Sequence, residues 1–238
     1  AKLNNGSYVY SSVLPYSAKS YCFDRLEKSS NANLKALCVA MLNYGAAAQQ
    51  YFGYRTDDLM NAGLTAEQKA LVKAYDASYF TGAVKADTGK LGAFASSSSG
   101  FKGASVSVSF EGAFSINYYF TPNMEVDGTL KLYFWTPEDY KAATVLTAEN
   151  ATGTALMELQ TNGAYWAQVS GIAAKSLDET YYVSAVYTDA DGNDHCSGVV
   201  AYALSTYCMN NAKPGKDMQE LAANTAMYGY YAKQYFNK

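Results

Sequence analysis

Histidine is almost missing: the chain of 238 residues has one, His195. Histidine is the usual general base near neutral pH and the commonest metal ligand. Multi-histidine zinc sites are therefore excluded, and a Ser-His-Asp or Cys-His hydrolase would have to use His195, for which the sequence pairs no Ser or Cys. Cysteine is scarce as well. Cys22, Cys38, Cys196 and Cys208 show no CxxC spacing, which speaks against a zinc ribbon or a thioredoxin-type redox pair. Their number would allow two disulfides, while isolated cysteines in apolar helical stretches commonly serve as small buried hydrophobes. Charged residues are few, 16% against 49% hydrophobic, which describes a folded chain and not a disordered one. With 18 basic and 21 acidic residues the net charge is −3, so neither a nucleic acid nor an anionic membrane surface is an expected partner. No apolar run approaches the roughly 18 residues of a spanning helix. The longest, Leu34 to Ala48, is broken by Lys35, Asn43 and Gly45. Nothing in the pattern asks for a metal or a cofactor.

What the chain has in surplus is aromatic: 23 Tyr, 10 Phe and 2 Trp. Tyrosine joins a flat apolar face to a polar tip, a combination suited to wet recognition surfaces. The chain also repeats itself. Tyr16-Ser-Ala-Lys-Ser-Tyr21-Cys22 recurs as Tyr202-Ala-Leu-Ser-Thr-Tyr207-Cys208, and Asn43-Tyr44-Gly45-Ala-Ala-Ala-Gln-Gln-Tyr51-Phe52 as Met227-Tyr228-Gly229-Tyr-Tyr-Ala-Lys-Gln-Tyr235-Phe236. Strand-like stretches precede both copies, Gly6 to Leu14 and His195 to Ala201, so the unit reads as strand, helix, loop, helix. Leu34, Leu37, Cys38, Met41, Gly45, Ala48 and Phe52 share one helical face, matched by Met218, Leu221, Ala222, Thr225, Gly229, Ala232 and Phe236. A mid-helix glycine at the same place in both copies implies a close packing neighbour. Thr65 opens a capping box for a further helix to about Ala77, and residues 81–102 form a Gly/Ser-rich connection centred on Ser96 to Gly100.

Between Gly103 and Ala201 the hydrophobic period becomes two. Val106, Val108 and Phe110 alternate with serines; Phe114, Ile116, Tyr118 and Phe120 alternate with Ser115, Asn117 and Tyr119; Leu130, Leu132 and Phe134 alternate with Lys131, Tyr133 and Trp135. Further strands are expected near Leu156 to Gln160, Tyr165 to Ser170, Thr180 to Thr188 and His195 to Ala201. The predicted class is α+β, a β-sandwich combined with two pseudo-repeated helical lobes. The segments are 1–102 (leading strand, helical lobe and connection), 103–201 (sandwich) and 202–238 (second helical lobe). The first copy keeps only a last strand and its helices, so the chain reads as a module cut from a longer protein, with the leading strand either pairing at an edge of the sandwich or poorly ordered.

Gly171-Ile-Ala-Ala-Lys175, the block Tyr181-Tyr-Val-Ser-Ala-Val-Tyr-Thr-Asp-Ala-Asp-Gly192 and the block Leu42 to Phe52 resemble modules of large secreted proteins of anaerobic gut Firmicutes. A sandwich followed by a helical cluster is similar, more narrowly, to the starch-adherence modules of ruminococcal amylosomes, over most of residues 8–238. The resemblance implies an extracellular, secreted or cell-surface module that is not an enzyme. It would bind starch-like α-1,4-glucan and sit beside other modules of the same protein or assembly. It departs in lacking the N-terminal sandwich of the first unit.

Sugar rings are recognised by aromatic faces, with polar side chains bonding the hydroxyls. The alternation puts Tyr133 and Trp135 with Lys131 on the side of their strand away from the apolar partners, Trp166 in parity with Gln168, and Tyr119 beside Asn117. The stacking candidates are Trp135, Trp166, Tyr133 and Tyr119, with Asn117, Lys131 and Gln168 as hydroxyl partners. The competing reading is that helices cover those faces and the rings are core. Tyr44 and Tyr228, equivalent in the repeats, are secondary candidates whose equivalence equally fits a packing role. Asp189-Ala-Asp191-Gly192-Asn193-Asp194 fails as a calcium loop, since its Gly is fourth and Val200 stands at position twelve; it reads as a hairpin turn, with His195 an ordinary strand residue. A glycosidase would need two facing carboxylates, and the spacing of Glu111, Glu138, Asp139 and Glu158 singles out no pair. A protein-interaction or spacer module is the other alternative.

Overall fold

The computed structural model describes residues 2–10, 16–96, 100–110 and 113–237. Helix α1 (Ala18–Lys28) begins where Ser17 and Ser20 exchange side-chain and backbone hydrogen bonds in a capping box. Asn31 caps α2 (Ala32–Phe52), which Gly53 ends in the left-handed region at φ 66°. The box at Thr65 is also formed, but α3 (Ala66–Lys69) stops after four residues, short of the expected Ala77. Past Lys69 the chain follows Val72 and Tyr75 into contacts with other elements instead of continuing one helical face.

Two antiparallel sheets follow. The first runs β1 (Phe101–Ser109), β2 (Phe114–Pro122), β6 (Tyr165–Ile172), β5 (Glu158–Leu159) in spatial order. The second runs β4 (Gly153–Leu156), β3 (Leu130–Trp135), β7 (Tyr181–Thr188), β8 (Asp194–Cys196), with β9 (Val200–Tyr202) also paired to β7. The expected strand Leu156 to Gln160 is thus divided. Its first part joins one sheet and its second part the other, with the buried Met157 between them donating its N–H to the Leu130 carbonyl. The stretch His195 to Ala201 is likewise two short strands, separated around Gly198 at φ 80°. Helix α4 (Pro137–Ala142), which the periodicity does not announce, is opened by Thr136 as N-cap and a proline in the first turn.

The sheets contribute to one core: Ile116, Tyr118, Phe120, Ala167 and Val169 from the first, with Leu130, Leu132, Val183 and Ala185 from the second. This is the alternation of the sequence made physical. Two helices complete the chain, α5 (Leu204–Asn211) and α6 (Gln219–Phe236), and α6 packs along α2. Helix α2 differs from the expected one-faced helix. Cys38, Val39 and Leu42 pack toward α1, Ala36, Leu37 and Ala40 toward α6, and Ala47 joins the sheet core. It is enclosed on three sides, which is why alanine and small residues dominate it. Phe52, assigned to the buried face, is exposed, as is Phe236. The chain is therefore mixed helix and antiparallel sheet. Among the described residues, 2–10 join neither sheet; a bridge pairs Lys2 with Tyr8, and residues 11–14 of the expected leading strand lie outside the described residues.

The helical glycines do have close neighbours. A Cβ at Gly229 would stand 2.9 Å from Leu177 Cδ1 and 3.0 Å from the Ala174 carbonyl oxygen, at a turn whose backbone cannot give way without losing its own hydrogen bonds. Gly229→Ala is expected to destabilise by about 1–3 kcal/mol through overpacking, net of the roughly 1 kcal/mol that alanine gains in a helix. Urea unfolding of the variant against the parent reads the difference.

Candidate functional site

Strand pairing decides which candidates meet. Between β2 and β6 the register sets Tyr119 opposite Trp166 and Asn117 opposite Gln168. On one side β1 adds Ser105 opposite Tyr119 and Ser107 opposite Asn117; on the other β5 adds Glu158 opposite Trp166. Directly opposed residues share a face, so Ser105, Tyr119, Trp166 and Glu158 form one row across four strands. Their sequence neighbours, Tyr118 and Ala167 among them, are buried on the other side of the sheet. Gly171, at φ 77°, takes up the extra residue of β6 where the register with β2 shifts, and so ends the regular part of this face.

Asn117 holds the row together. Its Oδ1 accepts from Trp166 Nε1 at 3.3 Å and from Gln168 Nε2 at 2.9 Å. Its Nδ2 donates to Ser109 Oγ at 3.0 Å and Ser107 Oγ at 3.3 Å, and Ser107 Oγ lies 3.5 Å from the Tyr119 hydroxyl. A carboxamide offers two donor hydrogens and two acceptor positions, and all four are used. Asn117 is also 7% exposed. The expected role of Asn117 as a hydroxyl partner is therefore corrected: it orients the indole and the Gln168 amide from the neighbouring row of the same face. The half-buried rings of Trp166 and Tyr119, with Ser105, Gln168 and Glu158, are what the face offers to solvent.

The other three candidates belong to the second sheet, on the side away from the shared core. Trp135 is 0% exposed. Phe94 packs against it edge-on with ring centres 4.8 Å apart, Tyr140, Leu146 and Tyr182 surround it, and its Nε1 donates to Asn150 Oδ1 at 2.9 Å. The parity of Trp135 is as read from the alternation. The outcome differs because α4 and the chain after it fold over that side, and a ring without an open face cannot serve as a stacking platform. Tyr133 is half-buried against Phe94 and lines a cleft of about 430 Å³ with Leu146, Glu149 and Asp194; Lys131 is exposed on the same strand. Neither approaches the Tyr119–Trp166 row.

Tyr44 and Tyr228 meet each other, stacked at 5.5 Å and 15°, and both touch Phe114. The Tyr44 hydroxyl donates to the Phe110 carbonyl at 2.9 Å, and burial pushes that phenol up to about 12. Both rings pack between the helices and the first sheet.

The carboxylates divide by role. Asp139 accepts from the hydroxyls of Thr152 and Thr136, which hold it below the usual carboxylate range and tie down the start of α4. Glu158 alone of the candidate acids stands in the aromatic row, and Glu111 lies outside the described residues. Asp189 closes the β7–β8 turn. It takes hydrogen bonds from the N–H groups of Asn193 at 2.8 Å and Asp191 at 3.0 Å, and its Oδ2 is 3.0 Å from His195 Nε2. His195 first and these amides next lower its carboxyl to about 2. Gly192 supplies the positive φ of 84° that such a hairpin needs. Among the described residues no group of three His, Cys, Asp or Glu side chains is arranged to hold a metal ion, and no helix is long and apolar enough to cross a membrane.

Two outcomes follow. Trp135→Ala should lower stability by roughly 3–5 kcal/mol, read from the denaturation midpoint, because it empties a closed cluster. A folded-state carboxyl lowered to about 2, against an ordinary 3.8, contributes turn stability that is fully present above pH 3.8 and lost as pH falls through 2. The amide proton shifts of Asp191 and Asn193 should accordingly titrate with a midpoint near 2, and a midpoint near 3.8 would contradict the His195 contact. Comparison of the chain with protein-family profiles, with curated proteins and with solved structures finds no match in any of the three.

Proposed function

We propose that the chain is a non-catalytic carbohydrate-binding module that takes starch-like α-1,4-glucan on the outer face of the first sheet. The observation that carries this reading is the row Ser105, Tyr119, Trp166, Glu158 with the buried Asn117 beside it. Two aromatic rings sit on adjacent strands, one held by a buried carboxamide, with an amide, a hydroxyl and a carboxylate around them. Sugar recognition wants that chemistry: apolar faces for the axial C–H surface of the ring, polar groups at the edge for hydroxyls. A fixed indole loses little rotamer freedom when a sugar lands on it. An α-1,4-glucan is curved, so it would touch a row of two rings over a short stretch and bind each face weakly.

The finer architecture belongs to the same proposal: the two sheets as a β-sandwich, and α1–α2 and α5–α6 as two copies of one helical unit. So do a secreted or cell-surface setting and neighbouring modules of the same protein or assembly as partners. The support is the repeated sequence blocks and the core shared by the two sheets.

Electrophoresis of the chain in native gels cast with amylopectin or with a β-glucan tests the reading. Retardation by amylopectin alone is expected. Unretarded migration in both gels would favour a spacer or protein-interaction module, and release of reducing sugar a hydrolase. Trp166→Ala and Tyr119→Ala should each weaken binding by about ten- to a hundredfold, at roughly 1–3 kcal/mol per stacked ring, with melting close to the parent's. A large loss of stability with binding unchanged would make these rings structural.

A further inference from the structure

Cys22 in α1 and Cys38 in α2 are 0% and 2% exposed and belong to one side-chain cluster with Leu26, Val39, Leu42 and Leu64. Their helices pack against each other, and the Cys38 thiol first and burial next push the Cys22 thiol up. Two sulfurs on neighbouring helices are not required for packing at this place. The first pair of repeated blocks matches Cys22 with Cys208, and the second pair, aligned on Tyr44 and Tyr228, matches Cys38 with Ala222. Cys208 and Ala222 are both fully buried in the main core, so a methyl group fills the position that Cys38 fills in the first helical pair. The second sulfur of the first pair is the departure that needs a reason.

We propose that Cys22 and Cys38 form a disulfide that clamps α1 onto α2 when the chain folds in an oxidising medium, while Cys196 and Cys208 stay thiols. The specificity comes from placement. Cys196 lies in the cluster around Trp135, Cys208 lies in the core between helices and sheets, and neither shares a cluster with another cysteine. Burial pushes Cys196 up to about 11 and Cys208 up to about 12, which keeps both protonated and inert near neutral pH.

Glutathione disulfide, a small disulfide oxidant, completes the chemistry. The thiolate of one cysteine attacks it, releasing one glutathione and leaving a mixed disulfide; the second cysteine then attacks the protein sulfur and releases the second glutathione. The two thiol protons and two electrons of the protein end on the two glutathiones. Since neither sulfur is accessible once α1 has docked, the exchange takes place while α1 is undocked, and the closed bond is then shielded from reductants. None of this rests on what the sheet face binds.

Refolding the full chain with glutathione redox buffer, or with a phosphine reductant, tests the proposal. Alkylation in denaturant should find two reactive thiols after the first and four after the second. Non-reducing peptide mapping should find one crosslink, between Cys22 and Cys38. The closed loop should raise the melting temperature by several degrees, up to about 10 °C. Cys38→Ala, which installs the residue of the second pair, should fold with the melting temperature of the reduced parent and show no crosslink under either condition. Four alkylatable thiols after oxidative refolding to a cooperatively melting chain would overturn the proposal, as would a crosslink involving Cys196 or Cys208.

Discussion

Ile116, Tyr118 and Phe120 share one buried core with Leu130, Leu132, Val183 and Ala185, and that core, fed by both sheets, orders everything outside it. A strand turns successive side chains to opposite sides. Once the even-numbered residues of β2 are committed to the core, Asn117 and Tyr119 must face away from it, and the pairing with β6 must bring Gln168 and Trp166 beside them. A slip of one residue would turn a carboxamide into the apolar core, away from its partners, and a phenylalanine out of it, so the apolar core and the outer face enforce one register. The same constraint on β3 sends Tyr133 and Trp135 outward, and there the chain answers differently, folding α4 and its following loop over them to make a second, smaller core.

That difference between the two outer faces marks what could be read from the sequence and what could not. Alternation assigned sides correctly on β2, β3 and β6, because it depends only on local geometry. It also made Tyr119, Asn117, Trp166 and Gln168 candidates together, although their union required the pairing of β2 with β6, which lies in no local pattern. Whether an outward side is covered depends on segments distant in sequence. The cap at Thr136 and Pro137 was the one local sign of the helix that covers Trp135. The part played by Asn117 was hidden for a related reason: a polar residue in a strand gives no sign of whether its partners will be solvent or its own neighbours. The short α3 and the divided strand around Met157 were illegible because each is decided by competing contacts elsewhere, not by propensity.

The helices show the same hierarchy. Amphipathic spacing identified α2 and α6, but one apolar face was too simple for α2, which touches α1, α6 and the first sheet on different sides. Its run of alanines is the readable trace of that enclosure, since small side chains let three neighbours approach a single helix. Gly229 is an extreme case, admitting the Ala174 carbonyl to 3.0 Å from where a Cβ would stand, closer than a side chain ordinarily tolerates.

A row of rings on a sheet and a cleft ask different things of a polymer. Tyr119 and Trp166 stand half-buried in a row across the first sheet, while Tyr133 lines a cleft. On the glucan-binding reading proposed above, a polymer lying on such a row would enter by its middle and shift along its length without dissociating, and one face would hold it briefly. Tethering two such faces turns the second contact into an intramolecular event, and the gain in avidity can reach about 100- to 10,000-fold with no new contact in either face. Residence on a surface then becomes a property of how many copies are linked and how far apart, while the face itself stays weak enough to let go.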